Sequence, residues 1–269
     1  MGASATTNDR TEPDVHSQLV LCALDLKRMK QLECHSAKGL LDTRRQLKLF
    51  AKDVKSVFDA ERRKALELER AYVDTVMRLT RASQFKDEET GAHLDRLGHY
   101  SKTIGLHLGL DSGYSELMEK AAPMHDVGKI GIPDAILRKK GPLDPDEWVV
   151  IKKHPGIGAS LLMGSVSPLL TMAEEIALTH HERHDGTGYP RGLSGAGIPV
   201  CGRIVMLADQ YDALRSKRHY KPPFSHDRTS DIILNGDGRT LPEHFHPDVL
   251  DAFRDLRGTF DSIYADIVD

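Results

Sequence analysis

Hydrophobic residues recur along this chain at three- and four-residue intervals, and no alternating stretch runs longer than a few positions, a pattern that predicts helices throughout. Residues 1–15 carry little bulky apolar material and are expected to form a disordered tail. From Val15 to about Lys38, Leu19, Leu21, Leu24, Leu26 and Met29 supply a short amphipathic helix. Gly39 to Ala82 then runs without proline or internal glycine and with dense charge. Leu47, Phe50, Val54, Val57 and Phe58, followed by Leu66, Leu68, Tyr72, Val76 and Leu79, mark a stripe along one long helix. Such a helix either pairs with a copy of itself or packs back on the domain that follows. Further on, Ser167-Pro168 reads as a helix start, with a capping serine and proline at the first helical position. That helix turns Leu169, Met172, Ala173, Ile176 and Ala177 inward ahead of His180, and Gly186, Gly188 and Pro190 end it. Ile204 and Ala208 to Leu214 give another apolar face. The reading is all-α: a tail over 1–15, an N-terminal helical segment over 16–82 able to form a dimerisation coiled coil, and a main helical bundle over 83–269.

Composition changes this picture little. Of 269 residues, 39% are hydrophobic and 6% aromatic, enough for a core without suggesting a sandwich or barrel. A net charge of −3 makes no case for nucleic acid as a partner, so any anionic ligand must be drawn by local cations. Cys22, Cys34 and Cys201 are scattered and read as reduced thiols of a cytoplasmic protein. No segment approaches the roughly 20 apolar residues of a membrane span, and Asp25 interrupts the best candidate, Leu19 to Leu26. The first residues lack the order of a secretory signal.

The chemistry is concentrated in histidines and acids. Five segments supply candidate metal ligands: Glu89 with His93, His125-Asp126, His154, His180-His181, and Asp209. Glu89 and His93 are four apart and share a helix face. Lys129 follows the His125-Asp126 pair by one turn, and His154-Pro155 reads as the end of the helix over DPDEWVVIKK. Imidazole with carboxylate and no thiolate suits iron, manganese, zinc or nickel in a hydrolytic centre. Eight ligands are too many for one tetrahedral ion, so a cluster of two or three divalent metals is expected.

Taken in order, ETGAH at 89–93, HDVGKIGIPD at 125–134, HPGIG at 154–158, HHERHDGTGYP at 180–190 and the ADQYDAL and RHYK segments within 208–221 closely resemble an HD-GYP domain. That resemblance runs over residues 84–256. It implies an HD-superfamily helical bundle around a multinuclear metal centre and a phosphodiesterase acting on a bacterial second messenger, cyclic-di-GMP. The product implied is linear pGpG, with continuation to GMP left open. By the same resemblance His93, His125, Asp126 and Asp209 are the core ligands, with Asp126 bridging, and His154, His180 and His181 hold a second ion. Glu89 belongs to members with a third ion, and iron or manganese is the expected metal. The attacking group is then a hydroxide bridging the metals, which also neutralise the oxygens that gain charge.

Asp126 and Lys129 are the expected catalytic residues, Lys129 facing the phosphate or the leaving oxygen. Arg218 and Lys221 match the phosphate-contacting pair of the family, and Gly186, Gly188 and Tyr189 form a substrate loop that the family also uses toward diguanylate cyclase domains. His184 stands where the family commonly has tryptophan, His219 where proline is usual and His246 where aspartate is frequent. Alternatives remain: preference for another cyclic dinucleotide such as cyclic GMP-AMP, a sensing or adaptor module, or the nucleotidase branch of the superfamily. The GYP loop speaks against the last, and the full ligand set against an adaptor role alone.

Overall fold

The computed structural model describes residues 15–32, 37–87, 91–216 and 223–268. Among them there is no strand, so the all-α expectation holds. Helices α1 (Val15–Leu32) and α2 (Ala37–Asp87) open the chain. At 51 residues, α2 extends about 77 Å at the usual rise per residue.

The chain divides after Leu68 into two compact units. In the first, Leu40, Leu41, Phe58 and Leu68 stand largely exposed along α2. The second begins at Glu69, earlier than the boundary at 83 drawn from sequence. The reason is local: Val76 and Thr80 are buried, and Val73 and Met77 pack against the core of the second unit.

That core is built by α3 (Gly91–His107), α4 (Ser112–Ala121), α8 (Pro168–Thr179), α9 (Val200–Arg215) and α11 (Pro247–Asp266), which pack against one another. Their inward faces carry Leu97, Ile104, Met118, Ile176, Val205 and Leu207, all fully buried. Tyr100 stacks on Phe260 at 4.4 Å, and Tyr211 meets the same ring edge-on at 5.0 Å, which ties α3, α9 and α11 together. Shorter helices α5 (Asp134–Leu137), α6 (Pro145–Ile151), α7 (His154–Leu162) and α10 (His226–Asn235) complete the unit. A Cβ on Gly202 would lie 2.2 Å from Thr179 Oγ1, so glycine there lets α9 approach the end of α8, where His180 sits.

One helix start agrees with the sequence reading in position though not in its capping bond, and another boundary differs. Ser167 does occupy the N-cap of α8, but its hydroxyl makes no capping bond and instead donates to Glu69 Oε1 at 2.9 Å. His154-Pro155 opens α7 instead of closing α6. Proline in the first turn of a helix loses only an N–H that had no intrahelical partner, so Pro155 is as well suited to a start as to a stop.

Candidate metal centre

The candidate ligands come from four helices and one turn. His125 and Asp126 lie between two 3-10 turns, Ala122–Met124 and Val127–Gly131. His93 projects from the first turn of α3, His154 from the start of α7, His180 from the C-cap of α8, and Asp209 from the middle of α9. Ligand atoms gather in two groups, His93, His125 and Asp209 in one, Asp126, His154, His180 and His181 in the other. Within each, the atoms lie within 4.8 Å of one another.

Asp126 faces both groups. Its Oδ1 is 3.1 Å from His154 Nε2 and 3.6 Å from His180 Nε2, while Oδ2 is 3.0 Å from His125 Nε2 and 2.7 Å from Lys129 Nζ. His93 Nε2 and His125 Nε2 lie 3.7 and 3.8 Å from Asp209 Oδ1. Glu89, Arg218 and Lys221 fall outside the described residues.

The imidazoles are preset for ligation. His125 Nδ1 donates to Ala122 O, His154 Nδ1 to Ile151 O, His180 Nδ1 to the carbonyls of Ile176 and Ala177, and His93 Nδ1 to Asp212 Oδ2. Those oxygens only accept, so Nδ1 carries the proton and Nε2 turns a lone pair inward. His154 Nε2 and His180 Nε2 stand 3.3 Å apart. Two lone pairs at that distance repel, and a divalent cation shared between them converts repulsion into ligation. The residues therefore fit a metal centre. Burial lowers the proton affinity of His180, and lowers that of His181 further with the help of its neighbours His180 and His154, which favours the neutral rings that ligation needs. Burial alone would raise the Asp126 carboxyl, but the Lys129 ammonium and His125 hold it well below the usual range.

The loop after His181 folds back on it. A Cβ on Gly188 would sit 2.3 Å from Arg183 N and 2.6 Å from His181 O, so only glycine allows this approach. Gly186 turns the loop at a φ of +81°. Tyr189 N then donates to His181 O at 3.1 Å, and the Tyr189 ring stacks on the His181 ring at 4.6 Å. Lys152 Nζ lies 5.4 Å from the centre of the same ring. Burial, then the carboxylates of Asp126 and Asp209, push the Tyr189 phenol upward, so it stays neutral. The His184 ring meets that of His246 at 5.0 Å, and the backbone N–H of His184 donates to His244 O, joining this loop to the segment before α11.

Three residues of consequence were given no role from sequence. Glu182 is buried and its carboxylate accepts from Arg191 N at 2.8 Å and Leu193 N at 2.9 Å, which pins the far side of the loop. Asp212 receives His93 and Arg96, and Lys152 reaches Tyr189. Asp212 had a visible signal, since it lies one helical turn beyond Asp209; Glu182 and Lys152 had none.

The HD domain family pattern matches residues 74–240. A cyclic di-GMP phosphodiesterase of Vibrio cholerae is 45% identical over 208 residues, covering 72% of this chain and 41% of that protein. One from Thermotoga maritima is 42% identical and covers 69% and 50%, respectively. A 3'3'-cGAMP-specific phosphodiesterase of Vibrio cholerae is 37% identical and covers 76% and 38%. The chain thus spans half or less of the length of these relatives. No helix among the described residues is long and apolar enough to cross a membrane.

Proposed function

Because the chain belongs to the HD domain family, we propose that it is a metal-dependent phosphodiesterase that opens cyclic-di-GMP to linear pGpG, with GMP as the further product to be tested. The observation that carries this reading is the meeting of two imidazole–carboxylate groups at Asp126, with Lys129 bonded to the same carboxylate. His93, His125 and Asp209 would hold one divalent ion and His154, His180 and His181 another, with Asp126 facing both groups; Glu89 would support a third. Iron or manganese suits this donor set. Such ions, when bound, activate water near neutral pH and neutralise oxygens that gain charge.

The chain's own residues do the rest. Lys129, held on Asp126 Oδ2, presents its ammonium to a phosphoryl oxygen or to the leaving oxygen. Tyr189 keeps His181 in place and, with Gly186 and Gly188, offers the wall against which a guanine packs. Arg218 and Lys221 grip the non-reacting phosphate. We place the protein in the cytoplasm, where Cys22 and Cys201 remain the free thiols they are here. The exposed apolar positions of α2 favour pairing with a second copy, and the GYP loop is the surface for a diguanylate cyclase domain.

A second reading, preference for 3'3'-cGAMP, is favoured by the relative of that specificity that covers 76% of this chain. Product analysis with metal-loaded protein on both dinucleotides separates the two. Cleavage of 3'3'-cGAMP with cyclic-di-GMP left intact would sink the first reading. Tight binding of either without cleavage would support an adaptor instead.

A further inference from the structure

Asp212 is fully buried, and its two oxygens accept four hydrogen bonds, the fourth from the Ser216 hydroxyl to Oδ2 at 3.2 Å. Arg96 forks onto it, Nε to Oδ1 at 2.7 Å and Nη2 to Oδ2 at 2.8 Å, while His93 Nδ1 meets Oδ2 at 2.8 Å. Arg96 is itself buried, and what holds it lies at the other end of the chain. Its Nη1 donates to the carbonyl of Ile267 at 3.0 Å, and its guanidinium carbon lies 4.8 Å from the centre of the Tyr264 ring. Arg215 packs on that ring at 4.3 Å, and the Tyr264 hydroxyl donates to Arg215 O at 2.8 Å, so the end of α11 is locked to α9 as well. Four side chains, Tyr264, Arg96, Asp212 and His93, thus run in contact from the last turn of α11 to a candidate metal ligand.

We infer that Tyr264, Arg96 and Asp212 are positioning residues for His93, so that the last turn of α11 sets the metal affinity of the His93–His125–Asp209 group. The inference rests on the metal-centre reading above. An Arg–Asp pair serving stability alone would need only its two parallel bonds. Here the shared Oδ2 also fixes the His93 tautomer and the direction of Nε2. Carboxylates that orient a ligating imidazole in this way typically govern metal affinity by 10- to 100-fold. Tyr264 acts one step further out, holding the guanidinium plane that aims the carboxylate.

The test is manganese binding to the metal-stripped full chain, followed through free Mn²⁺, with helicity recorded in parallel. His154→Ala removes one class of sites and leaves the His93 group to be read alone. On that background Tyr264→Leu is expected to weaken the remaining class by about tenfold or more, and Tyr264→Phe, which keeps the ring over both guanidinium groups, to hold it within about threefold. Unchanged affinity in Tyr264→Leu would overturn the inference. So would equal weakening of both classes when His154 is intact, or a loss of helicity that tracks the loss of metal, since either marks a purely structural brace. If the unaltered protein takes up no manganese, iron or zinc at all, the metal-centre reading itself has failed and this inference falls with it.

Discussion

Gly128→Ala adds one methyl group two residues after Asp126, and its effect follows from backbone distances. The new Cβ would lie 2.0 Å from His154 O and 2.4 Å from Gly158 N, where real Cβ contacts essentially never fall below 3.0 Å. Both neighbours are main-chain atoms of α7, so no side chain can swing aside. The 3-10 turn bearing Asp126 and Lys129 and the helix bearing His154 must part by about 1 Å. Alanine is favoured over glycine by roughly 0.4–1 kcal/mol through the unfolded chain where the backbone suits it, but overpacking of this kind costs roughly 1–3 kcal/mol or more. Net of the alanine gain, up to roughly 2.6 kcal/mol of strain remains, and the melting temperature is expected to fall by up to roughly 10 °C. The catalytic cost is larger. A misplacement of about 1 Å between Asp126 and His154, now 3.1 Å apart, is worth about 100-fold in turnover. The assay pairs metal content and steady-state cleavage with thermal unfolding. Gly156→Ala is the control, since a Cβ there meets nothing within 4 Å; in α7 it should be neutral or stabilising by up to about 1 kcal/mol. If Gly128→Ala retains wild-type metal content and turnover, the claim that backbone contact between the HD turn and α7 sets the centre is wrong.

Other perturbations address other parts of the molecule. Asp212 has its carboxyl lowered from 3.8 to about 2 because bonds from Arg96 and His93 outweigh the opposing effect of burial. A depressed folded value contributes stability above the unfolded value that is lost as pH falls through the folded one, so roughly 2 kcal/mol should disappear between about pH 4 and 2. Metal-free Asp212→Asn should show a flatter acid limb in that window, and parallel melting curves for the two proteins would contradict this. Glu182→Gln leaves one acceptor oxygen for two backbone donors, at a cost of about 1.5–3 kcal/mol; hydrogen exchange at Arg191 and Leu193 should quicken, and unchanged protection would remove Glu182 as the anchor of the loop. Arg218→Ala should raise KM by roughly 10- to 100-fold with little change in kcat, as expected for loss of a charge-assisted contact to a non-reacting phosphate. A fall in kcat at constant KM would place Arg218 on the reacting phosphate instead.

What could be read from sequence follows from what each residue needs. The candidate ligands were legible because metal chemistry restricts residue type: a ligand of this kind must be an imidazole or a carboxylate, and the structure brings His93, His125, Asp126, His154, His180, His181 and Asp209 into two groups. Helices were legible because their apolar period is set by geometry, and the end of α2 shows where that signal stops. Val76 and Leu79 belong to one stripe in sequence, yet Val76 is buried against the bundle while Leu79 is 42% exposed. Periodicity states which residues share a face and is silent on what covers it. The direction of a helix boundary was equally ambiguous at His154, because proline is compatible with either side. Residues that support the site were harder to read for a different reason, even Asp212, which stands one turn beyond Asp209. Asp212 and Glu182 are acids of a type common on any helical surface, and their role exists only through partners that the fold brings to them: Arg96 and His93, from a distant helix, for one, and the N–H groups of Arg191 and Leu193, across a folded loop, for the other. A ligand announces itself by its chemistry. A residue that positions a ligand is defined by distances, and those are set only when α3, α9 and α11 close around the same carboxylate.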